Sequence, residues 1–430
     1  IALARRIFGK INVCVFCVKN PKTLEALVQL KMAKSLNVPF LSESEFNSIL
    51  EEKKVNIIVD CLFGTGFSGY PDEKSSEILL KVNSYDCIKI ACDIPSGINK
   101  NGFVYKNSKN EALVFNADYT VTMGALKTAL FSDAAKDFCG KIICAELGIS
   151  EKVFNSLEKP SAFLLELSDI NFPFRKAKSS HKGTFGHAYV IPGEKPGAGL
   201  IAATSALEFG CGLSTVCDKF SDFSKIKIPM DLMYSSEIPN NVSAILLGSG
   251  FGRNQQNIDA AWDFIKQFSC NDKCSFVFDA DIFYYQKLPL LLEELKNQQV
   301  ILTPHPKELF YLLKLYDIKV DSVEEVIQNR FEFCKLFSEK NPNCVLVSKG
   351  AITYICHQNQ MFICDVGSVA LAKAGSGDVL AGMCLSLLAQ GYDCVKAAQT
   401  AVYAHGIAAS KCETNYSLIP SKLISLIKNK

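Results

Sequence analysis

Residues 371–382, LAKAGSGDVLAG, place one acid, Asp378, directly after a glycine turn formed by Gly375, Ser376 and Gly377. Apolar residues recur at helical spacing after this acid, so the turn is predicted to lie at a helix entrance, where free amides and the helix dipole favour an anion. An aspartate at that place can accept a proton from a hydroxyl group that attacks phosphorus. The alternative is that it only caps the helix.

Three further segments of the second half follow predicted strands with chemically useful residues. SKGAIT (348–353) ends a strand with Lys349, which suits a nucleotide phosphate or ribose, and LLGSGFG (246–252) is a glycine-rich turn between a strand and a helix. LTPHPKE (302–308) holds His305 between two prolines, which favours a rigid side chain that contacts substrate over a satisfied surface histidine. These segments strengthen the phosphoryl-transfer interpretation of the glycine turn.

The first half carries three strand-end loops of a similar kind. They are DCLFGTGFSGY (60–70), CDIPSG (92–97) and TMGALKTAL (122–130), and each follows an apolar run with polar or glycine residues. Any one of them alone could be an ordinary turn with a capping residue. Three at the ends of successive strands are predicted to converge on one cleft.

The elements that must position these residues repeat along the chain as short apolar runs, each followed by a helical pattern. Such alternation predicts an α/β architecture with parallel strands covered on both faces and ligands at the carboxyl ends of the strands. The pattern breaks between residues 150 and 180, which predicts two domains, 1–160 and 161–430. The predicted strands are VNIIVD (55–60), IKIACD (88–93), YTVTMG (119–124), AYVIPG (188–193), AILLGSG (244–250), SFVFDAD (275–281), QVILTPHP (299–306) and CVLVSKG (344–350).

The composition argues against several kinds of partner. The 430 residues have a net charge of +2 and no basic tail, which argues against nucleic acid, and no apolar run is long enough to span a membrane. No signal peptide is visible, which predicts a cytoplasmic protein. The eighteen cysteines are therefore predicted to be reduced thiols, most of them acting as small hydrophobic residues.

Two cysteine pairs have spacings that zinc sites also use, namely Cys14 with Cys17 and Cys270 with Cys274. Cys14 lies in INVCVFCV, whose alternation is typical of a buried strand. Zinc normally takes four ligands, and no matching second pair lies near the first in the sequence. Thiols without a metal are therefore favoured.

Taken together, the second-half motifs resemble the ADP/ATP-dependent NAD(P)H-hydrate dehydratase family, which has a ribokinase-like α/β/α fold. The resemblance covers residues 175–430 in the family's order, although Ser249 and Phe251 stand where the family usually has Pro and Leu. The motifs that carry it are HKGTFGHAYVIPG, GAGLIAATSALEFGCGL, LLGSGFG, VFDAD, LTPHPKE, SKGAIT, AGSGDVLAG and AVYAHG.

The resemblance implies an enzyme that repairs hydrated NADH and NADPH (NADHX and NADPHX), with ADP as the phosphoryl donor and AMP and phosphate as products. It implies that Asp378 deprotonates the hydroxyl group of the hydrate and that the amides of Gly375 to Gly377 stabilise the phosphoryl group. The phosphoryl chemistry predicts Mg²⁺. The implied substrate-binding residues are Ala198, Gly252, His305 and Asp378, and the implied nucleotide-binding residues are Lys349, Gly350, Ala351, Ile352, Thr353 and Gly377.

The first half resembles the NAD(P)H-hydrate epimerase domain, which has a Rossmann-like α/β/α fold, over residues 1–150. That resemblance implies that Asp60 and Ser96 bind K⁺ with hard oxygen ligands and that Asp93 handles the substrate proton as R- and S-hydrates interconvert. The family's Asn-Asn-Gly-x-Asp motif would precede Ile1, so we expect that the original N-terminus is missing. The residues implied to line the dinucleotide are Gly64, Thr65, Gly66, Phe67, Ser68, Gly69 and Tyr70.

The expected fold is therefore a Rossmann-like α/β/α domain followed by a ribokinase-like α/β/α domain, in a chain that we expect to form homo-oligomers. Two alternatives stay open at this point. A sugar or vitamin kinase of the ribokinase-like fold would use Asp378 on another alcohol, and its product would keep the phosphate. A nucleotide-binding protein without catalytic activity would have a decayed first half.

Overall fold

The fold is taken from a computed structural model that describes residues 1–157, 159–268 and 274–427. The chain divides into two compact units, Ile1–Leu157 and Glu158–Lys430. Cys270, from the second cysteine pair, lies outside the described residues. Within the described ranges, no helix combines the length and the apolar character needed to cross a membrane.

The first unit contains a parallel sheet in the order β3-β4-β5-β6 and a separate parallel pair, β1-β2. These strands are β1 (Val15–Phe16), β2 (Phe40–Leu41), β3 (Ile57–Asp60), β4 (Ile88–Cys92), β5 (Tyr119–Met123) and β6 (Lys141–Ala145). The helices are α1 (Ala2–Ile7), α2 (Leu24–Ser35), α3 (Glu43–Glu51), α4 (Glu73–Asn83), α5 (Lys136–Cys139) and α6 (Glu151–Leu157), with a 3₁₀ helix at Thr128–Phe131. The strands predicted at 55–60, 88–93 and 119–124 are confirmed.

The strand predicted for INVCVFCV is much shorter than its alternation suggests. Only Val15–Phe16 pair with a neighbour, and Cys14 is exposed, so the prediction of a buried strand is wrong there. The physical reason is that β1 pairs only with the two-residue β2, outside the larger sheet. Among the described residues, no group of three or more His, Cys, Asp and Glu side chains is arranged to hold a metal ion.

The second unit has a larger sheet flanked by helices. Its strands are β7 (Phe163–Leu164), β8 (His187–Ile191), β9 (Leu213–Cys217), β10 (Met233–Ser235), β11 (Ala244–Leu247), β12 (Ser275–Phe278), β13 (Val300–Leu302), β14 (Cys344–Ser348), β15 (Thr353–His357) and β16 (Gln360–Cys364). Its helices are α7 (Pro196–Glu208), α8 (Gln255–Ile265), α9 (Leu288–Glu294), α10 (Pro306–Leu315), α11 (Val323–Gln328), α12 (Arg330–Lys340), α13 (Ser376–Ala389), α14 (Cys394–Ser410) and α15 (Pro420–Ile427). The 3₁₀ helices are Leu167–Asp169, Lys182–Phe185, Lys266–Phe268, Ala280–Tyr284 and Val369–Leu371.

The strand order of this sheet is β10-β9-β8-β11-β12-β13-β14-β15-β16-β7. The strands from β10 to β14 are parallel, whereas β14-β15 and β15-β16 are antiparallel. The predicted α/β class is confirmed, and the antiparallel edge corrects the expectation of a wholly parallel sheet. The chain moves from β8 outwards to β9 and β10, then returns to the other side of β8 with β11. The carboxyl ends of β8 and β11 thus form a topological switch point, where ligands bind in such sheets.

Helix α13 packs against α7 through small residues. A Cβ atom at Gly382 would lie 2.2 Å from the carbonyl oxygen of Ala202, and the Ser205 hydroxyl donates to the carbonyl of Val379 at 2.8 Å. Every residue of α13 from Val379 onwards is buried, which explains why its sequence is apolar on all faces. This packing holds the glycine turn at the start of α13 in a fixed place above the sheet.

We expect Gly382→Ala to lower the free energy of unfolding of the second unit by about 1–3 kcal/mol, because the added methyl group overpacks the contact between α7 and α13. Urea denaturation followed by circular dichroism measures this change. Gly197→Ala is the matched control, since a Cβ at Gly197 in α7 meets nothing within 4 Å. Equal stability of the two variants would contradict the packing argument.

Candidate active site

Glycines bring the backbone together at the switch point. A Cβ at Gly248, whose φ is +121°, would lie 1.8 Å from the Asp279 carbonyl oxygen, and a Cβ at Gly193 would lie 2.1 Å from the Phe251 carbonyl oxygen. The turn after β11 therefore packs directly on the loop after β8 and on the end of β12. Only glycine fits such approaches, which explains the glycine pattern of residues 248–252.

The first turn of α13 forms the second wall of the site. The N-cap residue of α13 is Gly375, whose φ of +89° is left-handed and which has no side chain to cap the helix. The Ser376 amide donates to the Lys373 carbonyl, and its hydroxyl donates to the Leu371 carbonyl at 2.7 Å. Of the predicted anion-binding amides, that of Ser376 is therefore already engaged, which leaves Gly377 as the better placed donor at this helix end.

Asp378 lies in this first turn, close enough to the Ser249 hydroxyl for hydrogen bonding to lower its pKa. Burial and the negative charge of Asp279 raise its pKa to about 6, against the opposing effects of the Ser249 hydrogen bond and the Lys349 charge. A carboxylate with such a pKa is largely ionised at neutral pH and is a stronger base than an exposed aspartate. A general base needs these properties, and the N-cap position of α13 is occupied by Gly375 and not by Asp378.

Lys349 is the cation of the site. Its ammonium donates to Asp279 at 2.8 Å and lies 3.9 Å from a carboxyl oxygen of Glu308. A Cβ at Gly377 would lie 3.4 Å from the same ammonium, so the lysine reaches the first turn of α13. Burial lowers the pKa of Lys349, but the charges of Asp279 and Glu308 outweigh burial and raise it, which keeps the side chain protonated.

Asp279 anchors this cluster and was not among the predicted site residues. It is only 2% exposed at the carboxyl end of β12 and accepts hydrogen bonds from Thr303 at 2.7 Å and Ser249 at 3.3 Å, as well as from Lys349. The signal for it was present, because SFVFDAD ends a predicted strand with an acid at the edge where the other loops converge. The position of Ser249, by contrast, follows only from the three-dimensional packing of the turn after β11, residues 248–252.

The His305 side chain is fixed by contacts of both ring nitrogens as well as by the prolines on either side of it. Its Nδ1 accepts from the amides of Lys307 and Glu308 at 3.1 and 3.3 Å, and its Nε2 lies 3.1 Å from the Glu308 carboxyl. The Glu308 carboxyl in turn accepts the His305 amide at 2.8 Å, which completes a capping box at the start of α10. Because both ring nitrogens have partners, a substrate would meet the half-exposed ring through its face.

The remaining predicted residues surround the switch point and the loop after β14. Ala198 lies beside the turn, since its Cβ would be 2.9 Å from a Cβ at Gly250, and the Gly252 amide donates to Asp281 at 2.9 Å. Residues 349–352 connect β14 to β15, and Thr353 is the first residue of β15. Gly350 and Ala351 are exposed, Ile352 is buried and Thr353 is half-buried. The structure thus brings Asp378, Gly377 and Lys349 together and places the others around them.

In the first unit, Asp60 and Ser96 meet as predicted. The buried Asp60 carboxyl accepts the Ser96 amide and hydroxyl at 2.7 Å each and the Leu62 amide at 3.0 Å. Burial raises the pKa of Asp60 despite these hydrogen bonds, which lower it. The Ser96 hydroxyl oxygen also accepts the Phe63 amide at 2.7 Å. Carboxylate and hydroxyl oxygens gathered in this way are hard donors that suit an alkali cation.

Asp93 occupies the neighbouring strand end in an uncommon backbone conformation, with φ at +74°. Its carboxyl accepts hydrogen bonds from Thr122 at 3.2 Å, the Met123 amide at 3.1 Å and the Lys127 ammonium at 2.6 Å. Burial raises the pKa of Asp93, but these partners, led by Lys127, lower it below its usual range. Lys127 was not predicted as a site residue, although it lies in the TMGALKTAL loop.

The glycine loop of the first unit lines a cavity of about 480 Å³. Lys19 and Asp72 lie on its wall and form an ion pair with each other, and Lys19 stacks over the Phe63 ring at 4.9 Å. A cavity of this size can hold part of a dinucleotide. The predicted residues that line it are Gly64, Gly66, Phe67, Ser68 and Tyr70.

The fold and these sites define the chain as an α/β enzyme built from two units. Family models match both units: NAD(P)H-hydrate dehydratase over residues 188–430 and YjeF-related protein N-terminus over residues 1–129. The chain belongs to the family of bifunctional NAD(P)H-hydrate repair enzymes.

Individual relatives support this membership along nearly the full chain. The Helicobacter pylori bifunctional NAD(P)H-hydrate repair enzyme is 41% identical over 431 residues, covering 99% of this chain and 86% of the relative. The Escherichia coli relative of the same name is 30% identical and covers 85% of this chain and 69% of its own. Among solved structures, the Bacillus subtilis ADP/ATP-dependent NAD(P)H-hydrate dehydratase co-crystallized with ATP/Mg²⁺ is 25% identical, covers 59% of this chain and 91% of its own, and has a TM-score of 0.48.

Proposed function

We propose that the second unit dehydrates hydrated NADH and NADPH by phosphorylating their hydroxyl group, with ADP as the donor. The observation that carries this proposal is the Asp378 carboxyl in the first turn of α13, whose charge interacts with the nearby Lys349 ammonium. A base, an anion-binding helix end and a cation thus lie together at the carboxyl edge of the sheet. The family membership supplies the substrate class.

Three residues have roles in the transfer of the phosphoryl group. The hydroxyl oxygen of the hydrate bonds to the terminal phosphorus of ADP, the bond from that phosphorus to the bridging oxygen breaks, and AMP leaves. Asp378 accepts the hydroxyl proton, while the Gly377 amide and the Lys349 ammonium stabilise the charge on the transferred group. The bond from the ring carbon to the phosphate oxygen then breaks, the adjacent ring carbon gives a proton to the departing phosphate, and the new double bond restores the dihydropyridine.

Mg²⁺ fits this site chiefly through the nucleotide. When bound, the ion neutralises charge on the phosphate groups. The described residues contain no ready-made group of three metal-binding side chains, and Mg²⁺ commonly combines substrate phosphates and water with one or two carboxylates. Asp279 and Glu308, both beside Lys349, are the carboxylates placed to contribute.

The decisive assay incubates the full chain with the hydrates of NADH and NADPH and with ADP or ATP, and follows recovery of dihydronicotinamide absorbance. Release of inorganic phosphate with recovery of the reduced cofactor is the expected result. A phosphorylated product that keeps its phosphate would instead indicate a small-molecule kinase. Folded protein that restores neither cofactor with either donor would overturn the proposal.

The pH profile provides a separate prediction. Because Asp378 must be ionised to accept a proton, kcat for dehydration should fall below about pH 6, approaching tenfold per pH unit. The Ser249 hydroxyl lowers the pKa of Asp378, so Ser249→Ala should move this fall to higher pH. Steady-state rates of both forms at saturating substrates test this. A flat profile between pH 5 and 7 would contradict the assignment of the base.

For the first unit we propose epimerisation of the R- and S-hydrates, with Asp93 as the group that moves the substrate proton and Asp60 with Ser96 as ligands of K⁺. The cluster of hard oxygens around Ser96 and the adjoining glycine-loop cavity support this proposal. Chromatographic separation of the two hydrates, with K⁺ or with Na⁺, tests it. Equal rates in both salts would remove the K⁺ assignment, and full activity of Asp93→Asn would remove Asp93.

The same proposal includes a homo-oligomer acting in the cytoplasm. Among the cysteines that the structure describes, no two form a disulfide bond. Light scattering of the purified chain measures the oligomeric state.

A further inference from the structure

The loop of residues 349–353 is fixed in shape by contacts from outside the nucleotide-binding residues. It connects the antiparallel strands β14 and β15, whose last paired residues are Ser348 and Tyr354. At one end the Lys349 amide donates to the Pro304 carbonyl at 2.9 Å. Gly350 and Ala351 at the tip are exposed. A hairpin connection of this length needs further contacts if its amides are to meet a ligand in a fixed position.

Arg330, at the start of α12, supplies those contacts from beneath the loop. Its guanidinium donates to the Ser348 carbonyl at 2.8 Å, to the Ser348 hydroxyl at 3.2 Å and to the Ile352 carbonyl at 2.5 Å. The two carbonyl groups flank the loop, so one planar side chain ties its beginning to its end. The guanidinium carbon also lies 4.4 Å from the centre of the Tyr354 ring.

The position of Arg330 makes a purely space-filling role a poor explanation. The residue is only 2% exposed, and it is the first residue of a helix, where the dipole disfavours a cation. Burying a charge there is unfavourable unless hydrogen bonds compensate it. The acceptors that compensate the Arg330 charge include the backbone carbonyls of Ser348 and Ile352, at the two ends of the loop. The hydrogen bonds that stabilise the buried charge therefore also fix the loop.

We propose that Arg330 is a positioning residue for nucleotide binding, which sets the geometry of residues 349–353 without touching the nucleotide. This inference rests on the proposed function of that loop as the nucleotide site. The fork of a guanidinium can bridge two carbonyl groups, whereas the point charge of a lysine cannot. Arg330 therefore acts on nucleotide affinity, and the hydrate-binding residues around Asp378 are unaffected.

The experiment compares Arg330→Gln, Arg330→Lys and the wild-type full chain. We expect Arg330→Gln to raise the KM and the calorimetric Kd for ADP with MgCl₂ about ten- to hundredfold, with kcat and the KM for the hydrate nearly unchanged. Arg330→Lys should show a smaller rise. Arg175→Gln is the matched control, because Arg175 also binds a backbone carbonyl, that of Gly210, and an aromatic ring, that of Phe185, away from the loop.

The outcomes separate this inference from the proposed function. If the wild-type chain binds neither ADP nor ATP, the nucleotide site itself is wrong. If the wild type binds ADP and a folded Arg330 variant binds it equally well, the positioning role is wrong. A loss of kcat at unchanged Kd, or equal effects of Arg330→Gln and Arg175→Gln, would also overturn it. If Arg330→Gln does not fold, the same comparison is made with Arg330→Lys: a raised KM for ADP at unchanged kcat supports the positioning role, and an unchanged KM contradicts it.

Discussion

Asp378→Asn is expected to lower kcat for dehydration by about 10²–10⁴-fold while the KM for ADP changes little. The amide keeps the size and polarity of the side chain but cannot accept the hydroxyl proton. With a pKa of about 6, Asp378 is ionised at neutral pH and is also a stronger base than an ordinary aspartate. We therefore expect the large loss of activity at this acid in particular. Single-turnover recovery of NADH from its hydrate measures the loss directly.

The same substitution should leave the fold intact or stabilise it. Folding raises the pKa of Asp378 from 3.8 to about 6, so the ionised carboxyl destabilises the folded protein increasingly as pH rises between those values and fully above them. The cost above pH 7 is about 3 kcal/mol. Asn carries no charge, so urea denaturation at pH 8 should show a variant at least as stable as the wild type.

Asp393→Asn is the matched control for this prediction. Asp393 also stands at the start of a buried helix, where its carboxyl caps α14 through the amides of Val395 and Lys396. Asparagine caps helices as well as aspartate does, so neither stability nor kcat should change much. An Asp378→Asn variant with more than a tenth of wild-type kcat would rule out its role as the base.

Local pattern predicted much of the second unit, because the elements there are short-range features. The apolar runs predicted five parallel strands, β8, β11, β12, β13 and β14, and the spacing of apolar residues predicted the helix after Gly375. Strands β9 and β10 were not predicted, nor were the antiparallel strands β15 and β16, since a short hairpin has no helical segment between its strands. Strand order, and with it the switch point, depends on pairing between distant segments that one sequence does not reveal.

The site shows the same division. Asp378 and Lys349 were predicted from their own turns, but the residues that tune them come from elsewhere in the chain. Burial and the charge of Asp279 raise the pKa of Asp378, and Asp279 also accepts a hydrogen bond from Lys349. Ser249 donates to Asp279 and lowers the pKa of Asp378, although these residues are far apart in sequence. In the first unit, Asp60 and Ser96 were predicted, while the pairing of Lys127 with Asp93 required the fold.

Three carboxylates surround the Lys349 ammonium and link it to the turn of residues 375–377. Asp279, Glu308 and Asp378 carry more negative charge than Lys349 neutralises. Burial and this excess of negative charge raise the pKa of Asp378. We expect the same excess to favour a metal-bound nucleotide over a bare phosphate. Because Lys349 lies beside both the buried Asp279 and Gly377 at the start of α13, we expect its substitution to affect catalysis and stability together.

Lys349→Met is the second substitution for which we expect a large effect. It leaves the buried Asp279 without its cationic partner, which should lower the free energy of unfolding of the second unit by about 3–5 kcal/mol. It also removes the positive charge beside Gly377, so dehydration should fall about 10²–10³-fold at temperatures where the variant is folded. Urea denaturation and the absorbance assay measure the two effects independently.

A double variant separates these two roles of Lys349. Asp279→Asn removes the buried charge, so Asp279→Asn with Lys349→Met should recover most of the stability lost in the single variant while dehydration stays low. Lys287→Met, which breaks the exposed pair with Asp259, is the control and should cost less than about 1 kcal/mol. Recovery of stability and activity together would mean that Lys349 serves only to neutralise Asp279, and that phosphoryl stabilisation at this site comes from the α13 amides alone.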